Sequence, residues 1–338
     1  MSSVSIKIGI VILIAGFYAM KLPAQEFNSS QYYSNLGVSN PSFTGIDDFV
    51  DAKLSVYQGW NSFNISNNNF YASVFTSLSN SQQTTIKNNA LRLSSTAYSQ
   101  IESQKDLRRK HGMGGMITNR NVGPYRSFSL NYQYAFHLPL SNTFNLSFGT
   151  SIGYRNQRIN FSGFTVRDEV NDVFYQQLLA VNNASQGSYV VDFGLLLYSK
   201  RFYLGISSSD MITGKLFGDT NLNFSNIRRL NAQTAASFRL GPYLTLNTGA
   251  AIHMKERYEL GWDANVRLRY KELIYVGIAY NNQSKLSALL GLSFNTKINF
   301  HYSFDQYNSS QSNFNVTAHE LVLGFNISNR ANSQPKFW

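Results

Sequence analysis

"SFSLNYQYAFHL", Ser127–Leu138, places Phe128, Leu130, Tyr132, Tyr134, Phe136 and Leu138 on one face of an extended chain. Ser129, Asn131, Gln133, Ala135 and His137 fall on the other. A period of two is the signature of a strand. A soluble sandwich would turn the aromatic face inward, whereas a membrane barrel would turn it outward to lipid. Fold and function both hang on which face is dry.

The same alternation recurs along the chain. It is sharpest over 259–270, where Leu260, Trp262, Ala264, Val266, Leu268 and Tyr270 oppose Glu259, Asp263, Asn265, Arg267 and Arg269. Fourteen segments read as strands: 52–57, 69–76, 112–119, 125–138, 142–156, 189–198, 202–209, 231–240, 244–254, 259–270, 273–280, 285–294, 297–305 and 312–327. An even number suits a bacterial outer-membrane barrel. Most of the segments approach the ~9 to 11 residues of a tilted spanning strand.

The connections separate the two faces. With both ends of the chain on one side, that side carries the tight turns "PLSN", "SKR", "GPY", "KE" and "NT", while 157–188, 210–230 and 306–311 lie opposite. Short periplasmic turns and long outer loops are the barrel asymmetry, and a two-sheet sandwich predicts none. The expected fold is therefore an all-β transmembrane antiparallel barrel of about fourteen strands, with the aromatic face on lipid. Residues 77–111, ending in "QKDLRRKHG", break the rule as a long connection on the short side and read as a solvated polar loop.

Composition agrees. Charged residues and aromatics each make up 14% of the chain, a ratio that fits a wall facing lipid. The N-terminus has Lys7, an apolar run Ile8–Met20 and the small Ala24 before Gln25. That run is short of the ~20 residues that span a bilayer, so 1–24 reads as a cleaved signal peptide. Removing it takes away Lys7 and Lys21 and lowers the formal net charge from +11 to +9. The excess is scattered; it favours anionic outer-membrane lipid and gives no nucleic-acid patch. There is no cysteine, which excludes a disulfide scaffold. The expected organisation is a signal peptide (1–24), a periplasmic or lumenal segment (25–51), the barrel (52–327) and a tail (328–338).

Chemistry is hard to find. His111, His137, His253, His301 and His319 are scattered without metal-ligand spacing, and His137, His253 and His301 fall on polar strand faces. "HGMGGM" (111–116) lacks the Lys-Ser or Lys-Thr of a phosphate loop, and its glycines suit close packing in a strand. No nucleophile, base and orienter come together. The sequence reads as a non-enzyme without cofactor or metal.

Several segments together carry a resemblance: "SQYYSNLGVSNPSFTG" (30–45), "YQGW" (57–60), "NVGPYRSFSLNYQYAFHLPLSNTFNLSFGTSIGY" (121–154), "VVDFGLLLYSKRFYLGIS" (190–207) and "HYSFDQYNSSQSNFNVTAHELVLGF" (301–325). In this order they resemble the PorP/SprF family, outer-membrane proteins of the type IX secretion and gliding systems of Bacteroidota. The family's Asn-Pro-Ala-Phe-Ala-Gly is matched by Asn40, Pro41, Ser42, Phe43, Thr44 and Gly45. Its Thr-His-Glu is matched by His319 and Glu320, with Ala318 for the threonine. Trp60 matches an early tryptophan, without the arginine common upstream of it. The resemblance implies a component that supports export or surface retention of a cognate secreted protein, through that client's C-terminal domain, and contacts periplasmic machinery.

These residues also have an architectural reading. Pro41 fixes a turn and extends Asn40, and Gly45 opens conformations other residues resist. At His319 and Glu320 the apolar phase slips by one, from Phe314, Val316 and Ala318 to Leu321, Leu323, Phe325 and Ile327, which predicts a bulge. The alternative is that this pair meets a partner or the N-terminal segment. In the outer segment 157–188, Val170, Val173, Phe174, Leu178 and Val181 recur at helical spacing behind Asp168 as a cap. That stripe either docks a client, with 210–230 as the other wall, or drops into the lumen as a constriction. A passive transporter and a secreted soluble β protein stand as rival readings.

Overall fold

The computed structural model describes residues 29–60, 67–78, 109–159, 170–171, 176, 185–218, 227–255, 260–282, 284–307 and 316–329. The expected signal peptide lies outside these residues. Fourteen antiparallel strands form a closed barrel: β1 (Val50–Trp60), β2 (Asn67–Ser77), β3 (Lys110–Val122), β4 (Tyr125–Pro139), β5 (Asn145–Ile159), β6 (Ser185–Tyr198), β7 (Phe202–Gly218), β8 (Arg229–Arg239), β9 (Leu244–Lys255), β10 (Leu260–Tyr270), β11 (Ile274–Asn281), β12 (Lys285–Asn295), β13 (Ile298–Tyr307) and β14 (Val316–Ile327). Each strand pairs with its sequence neighbours, and β1 closes on β14 from Val50↔Ile327 to Trp60↔Thr317. Closure leaves no sheet edge to satisfy in lipid.

The opening stretch is on β4, and its apolar face is the outer one. Phe128, Leu130 and Tyr132 are 43%, 50% and 50% exposed, whereas Gln133, Ala135 and His137 are 2%, 0% and 2%. The wall repeats this on other strands: Phe148, Ile252, Val266 and Ile278 point outward, while Asn247, Asn265 and Arg267 are buried inside. A barrel that hides its polar side chains and displays Leu, Ile, Phe and Tyr is built for a bilayer.

The connections 140–144, 199–201, 240–243, 271–273 and 296–297 share one end with residue 49 and residue 328. At that end, Leu78 N–H bonds the His111 carbonyl (2.7 Å) and closes the β2–β3 pairing. Most of the segment 77–111, residues 79–108, is outside the described residues. The strand ends Ile159, Ser185, Gly218, Arg229, Tyr307 and Val316, between which the longer connections run, lie at the opposite end.

Two expectations change. Residues 210–218, read as part of an outer loop 210–230, belong to β7, which leaves β8 after Ser209↔Arg229 and continues along β6. The bulge at His319 and Glu320 is absent: β14 pairs without interruption with both neighbours. Even positions stay inside throughout, with Ala318, Glu320, Val322 and Asn326 buried. The apparent slip arises because Ala318 and Val322 are apolar lumen residues, and because His319 faces outward with its Nδ1 2.6 Å from the Tyr302 hydroxyl.

Inside the barrel, residues 29–49 run as a 3-10 turn (Tyr32–Ser34), a short helix α1 (Leu36–Ser39) and a second 3-10 turn (Pro41–Phe43) before joining β1. Leu36, Phe43 and Ile46 pack on Leu196, Tyr198, Tyr203 and Ala235, and Tyr33 packs on Tyr275, Ala279 and Leu289. The apolar core thus lies between this segment and the lumen wall.

Candidate functional site: a lumenal plug and the vestibule above it

The plug is locked by Asn40-Pro41. Pro41 starts the second 3-10 turn, where its missing N–H costs nothing. Asn40 Oδ1 accepts from the Ser42 N–H (2.9 Å) and hydroxyl (2.6 Å), capping the turn. Its Nδ2 donates to the carbonyls of Leu195 (3.4 Å) and Ile206 (3.3 Å) on the wall. Phe43 meets Tyr203 edge-on at 5.0 Å. Gly45 has φ +71, and a Cβ there would lie 2.4 Å from the Cα of Gly112, so its freedom is used for both turn and close approach.

The wall offers matching donors and acceptors. Gln133 accepts from the Thr44 hydroxyl (2.7 Å) and donates to the Gly37 carbonyl (3.0 Å). Ser147 and Ser207 donate to the carbonyls of Ser42 (2.7 Å) and Ser39 (2.9 Å). His137 Nε2 is 2.9 Å from the Thr44 carbonyl, which can only accept, so Nε2 donates; Nδ1 then takes the Tyr198 hydroxyl at 3.0 Å. Such pairing satisfies an irregular backbone that would otherwise be costly to bury.

Upstream, the Glu320 carboxylate accepts from Ser29 (2.6 Å) and Ser55 (3.2 Å), and Gln31 donates to the Glu320 carbonyl (3.0 Å). The Arg267 guanidinium lies 3.5 Å from the centre of the Tyr33 ring. Tyr33 OH, Tyr275 OH and His301 Nδ1 form a chain at 3.0 and 2.8 Å. Burial pushes the Tyr33 hydroxyl up to about 12, so it remains a neutral phenol in that chain.

Above α1, under β3–β9, the lumen opens into a cavity of about 340 Å³ whose lining includes Val38 and the lumen faces of those strands. Arg120, Arg155, Arg229 and Lys255 line it together with Asp192 and Asp210. Asp210 is the irregular residue: its φ is +58, it is 3% exposed, and its carboxylate is 2.8 Å from Arg155 and 3.5 Å from Arg229. Among the described residues, no group of three or more His, Asp and Glu is placed to hold a metal ion.

The profile of the type IX secretion system membrane protein PorP/SprF matches residues 22–325. The chain belongs to this family. No curated protein matches the sequence. Among solved structures, the CymD monoaromatic hydrocarbon channel is 9% identical over 90% of this chain and 95% of its own, with TM-score 0.51. The Ralstonia pickettii toluene transporter TbuX is 8% identical over 88% and 94%, with TM-score 0.52. At such identities the likeness is one of fold. Family, closed barrel and lipid-facing wall together place this PorP/SprF protein in the outer membrane.

Within this PorP/SprF chain, Asn40, Pro41, Phe43 and Gly45 sit together in the plug. Glu320 meets the plug's first residues, the alternative weighed against a bulge, while His319 faces outward on the same strand. Trp60 ends β1 opposite Thr317. Val170 is 82% exposed; Val173, Phe174, Leu178 and Val181 lie outside the described residues, as does Asp168. Sequence reading missed the vestibule and its Asp210 cluster. The available signal was a row of cations, Arg120, Arg155, Arg229 and Lys255, all near the outer ends of strands.

Proposed function

We propose that this protein is an assembly component of a type IX secretion and gliding system in a member of the Bacteroidota, supporting export or surface retention of one cognate secreted protein. It works by binding, without catalysis and without a cofactor. After removal of residues 1–24 it inserts in the outer membrane, contacts periplasmic secretion components, and receives the C-terminal domain of its client at the outer end. The segment 157–188, with the outer part of β7, is the docking face in this reading.

The observation that carries the reading over a passive transporter is the occupied lumen. Residues 29–49 are largely buried and hydrogen-bonded to strands on several sides of the barrel, which favours a braced scaffold over an open pore. The test pairs two measurements on one preparation. Affinity purification from native membranes in mild detergent should bring down a secreted protein, and the purified barrel in a planar bilayer should show no steady conductance. Steady solute conductance with no co-purifying secreted protein would establish the transporter reading instead.

A further inference from the structure

We infer that the vestibule under β3–β9 binds an uncharged, extended stretch of polypeptide by its main chain, as a second layer on top of the plug. The stretch belongs to a secreted protein entering from the outer end, and in naming that source the inference rests on the reading above.

Two rows of wall residues run from the plug up into the vestibule. On β4 the lumen-facing row is Ser127, Ser129, Asn131 and Gln133. Gln133 donates to the Gly37 carbonyl (3.0 Å) and accepts from the Thr44 hydroxyl (2.7 Å), while the other three line the vestibule. On β7, Ser207 donates to the Ser39 carbonyl (2.9 Å), and Ser209, two residues on, lines the vestibule. The lower end of each row thus already holds irregular main chain, and the upper end carries the same kinds of group. Residues on one face of a strand recur every ~6.8 Å, the repeat at which an extended peptide turns successive groups to one side.

The upper groups have capacity for a partner. Gln157, opposite Ser127 on β5, is buried; its Nε2 donates to the Tyr125 hydroxyl (2.8 Å) and its Oε1 has no hydrogen-bond partner. Among the described residues, the Ser127 hydroxyl and the Asn131 amide make no hydrogen bond. A buried acceptor left unmet is costly. A peptide N–H meets it, and peptide carbonyls accept from Ser127 and Asn131.

The charges nearest β7 are turned on one another. Between β6 and β7 the register shifts from Phe193↔Ser208 to Val191↔Ile212, and this bulge directs Asp210 inward, 2.8 Å from Arg155 and 3.5 Å from Arg229. Paired in this way, they favour a neutral polar ligand over an ion. Val38 of α1 is exposed on the floor and gives the ligand an apolar seat. The volume of about 340 Å³ lies within the ~300–1,000 Å³ of ligand pockets.

Calorimetry on the full-length protein in detergent tests this with an acetylated, amidated hexapeptide of alternating threonine and serine, uncharged and inclined to extend. The same peptide methylated at every backbone nitrogen, and maltotriose, are titrated alongside. The plain peptide should bind saturably, with little change between low and high salt because no charge is matched, and the methylated peptide at least tenfold more weakly. Asn131→Leu with Gln157→Leu removes the hydrogen-bonding groups at similar volume and should weaken binding at least tenfold. Ser129→Phe fills the cavity and should abolish it. Both variants are first checked for the heat-modifiable mobility of a folded barrel. No peptide binding, equal binding of the methylated peptide, maltotriose bound in place of the peptide, or binding unchanged in both variants overturns the inference. Peptide binding that appears only when residues 160–184 are replaced by a short glycine-serine linker assigns the vestibule to this chain's own loop, and overturns it as well. If a secreted protein co-purifies but no peptide binds, this site fails and the client reading stands; if the peptide binds but no secreted protein co-purifies, the client reading fails and the main-chain site stands.

Discussion

The two storeys of the lumen under β3–β9 are lined by opposite kinds of residue. Where the plug lies, the wall presents Gly112 on β3, Gln133 on β4, Ser147 and Gly149 on β5, Gly194 on β6 and Ser207 on β7, in direct contact with residues 37–45. Farther along the same strands, by two residues on β6 (Gly194 to Asp192) and eight on β3 (Gly112 to Arg120), the wall presents Arg120, Arg155, Asp192 and Asp210 around about 340 Å³. Small and neutral side chains let a backbone approach and bond; long charged ones hold a space open and polar. The lumen face is therefore two surfaces, one complementary to the chain's own N-terminus and one lined by paired charges around open space.

The largest effect should come from removing that complementarity. A Cβ at Gly149 would lie 2.2 Å from Ser42 N, and one at Gly194 would lie 2.0 Å from Asn40 Oδ1. Overpacking costs ~1–3 kcal/mol per site, and at Gly149 the obstacle is backbone that cannot rotate away. Gly149→Val with Gly194→Val should leave the barrel closed and displace the plug, so that bilayer recordings gain steady conductance. Ser127→Val with Ser129→Val, facing the vestibule, should not. Identical recordings from the two pairs would show that the storeys do not differ in this way.

The next effect concerns the wall that both storeys share. Leu130→Arg places a cation on the lipid face and should cost ~2–4 kcal/mol near the midplane. Ser129→Arg, one residue away but lumenal, should cost little. Urea unfolding of the two variants in lipid measures the gap, and equal midpoints would reverse the inside-out assignment.

These outward positions are the part of the fold that the sequence displays openly. Leu130, Phe148 and Val266 alternate with Ser129, Gly149 and Asn265 because one face must satisfy lipid, a rule each strand obeys locally. The count of fourteen strands and the short-turn side were legible for the same reason. The plug was not, since 29–49 has no period and its partners are remote: Asn40 answers to Leu195 and Ile206, Thr44 to Gln133 and His137. At β14 the alternation misled, because Ala318 and Val322 show that a lumen position can also be apolar. Asp210 was illegible because a bulge turns it, and a bulge depends on the pairing of two strands rather than on either one.

A smaller effect belongs to the lock itself. Asn40→Ala removes the turn cap, worth ~0.5–2 kcal/mol, together with two long hydrogen bonds to the wall. The barrel should survive while the plug loosens locally. Hydrogen exchange read by mass spectrometry should show faster exchange at Ser42 and its neighbours, with strand amides of β5 and β6 unchanged. Uniform acceleration in both would mean that the plug and the wall open together, and the storeys would then be one cooperative unit.

The smallest effect is expected at the turn rim, outside both storeys, where it calibrates the others. Lys271, between β10 and β11, holds its ammonium 5.0 Å from the Tyr243 ring and 5.3 Å from the Tyr270 ring, both of which are exposed. Tyrosines with a lysine at a strand end suit the headgroup level of a bilayer. Exposed cation–π contacts contribute ~0.5–1 kcal/mol, so Lys271→Ala should lower stability by that amount. The backbone works the other way: Lys271 has φ +50, a conformation that costs an L-residue ~1–2 kcal/mol and glycine almost nothing. Lys271→Gly loses the contact and relieves the strain, and should therefore be at least as stable as Lys271→Ala by urea unfolding. If glycine is instead the less stable of the two, the turn carries no strain, and the rim effect is entirely that of the ring contacts.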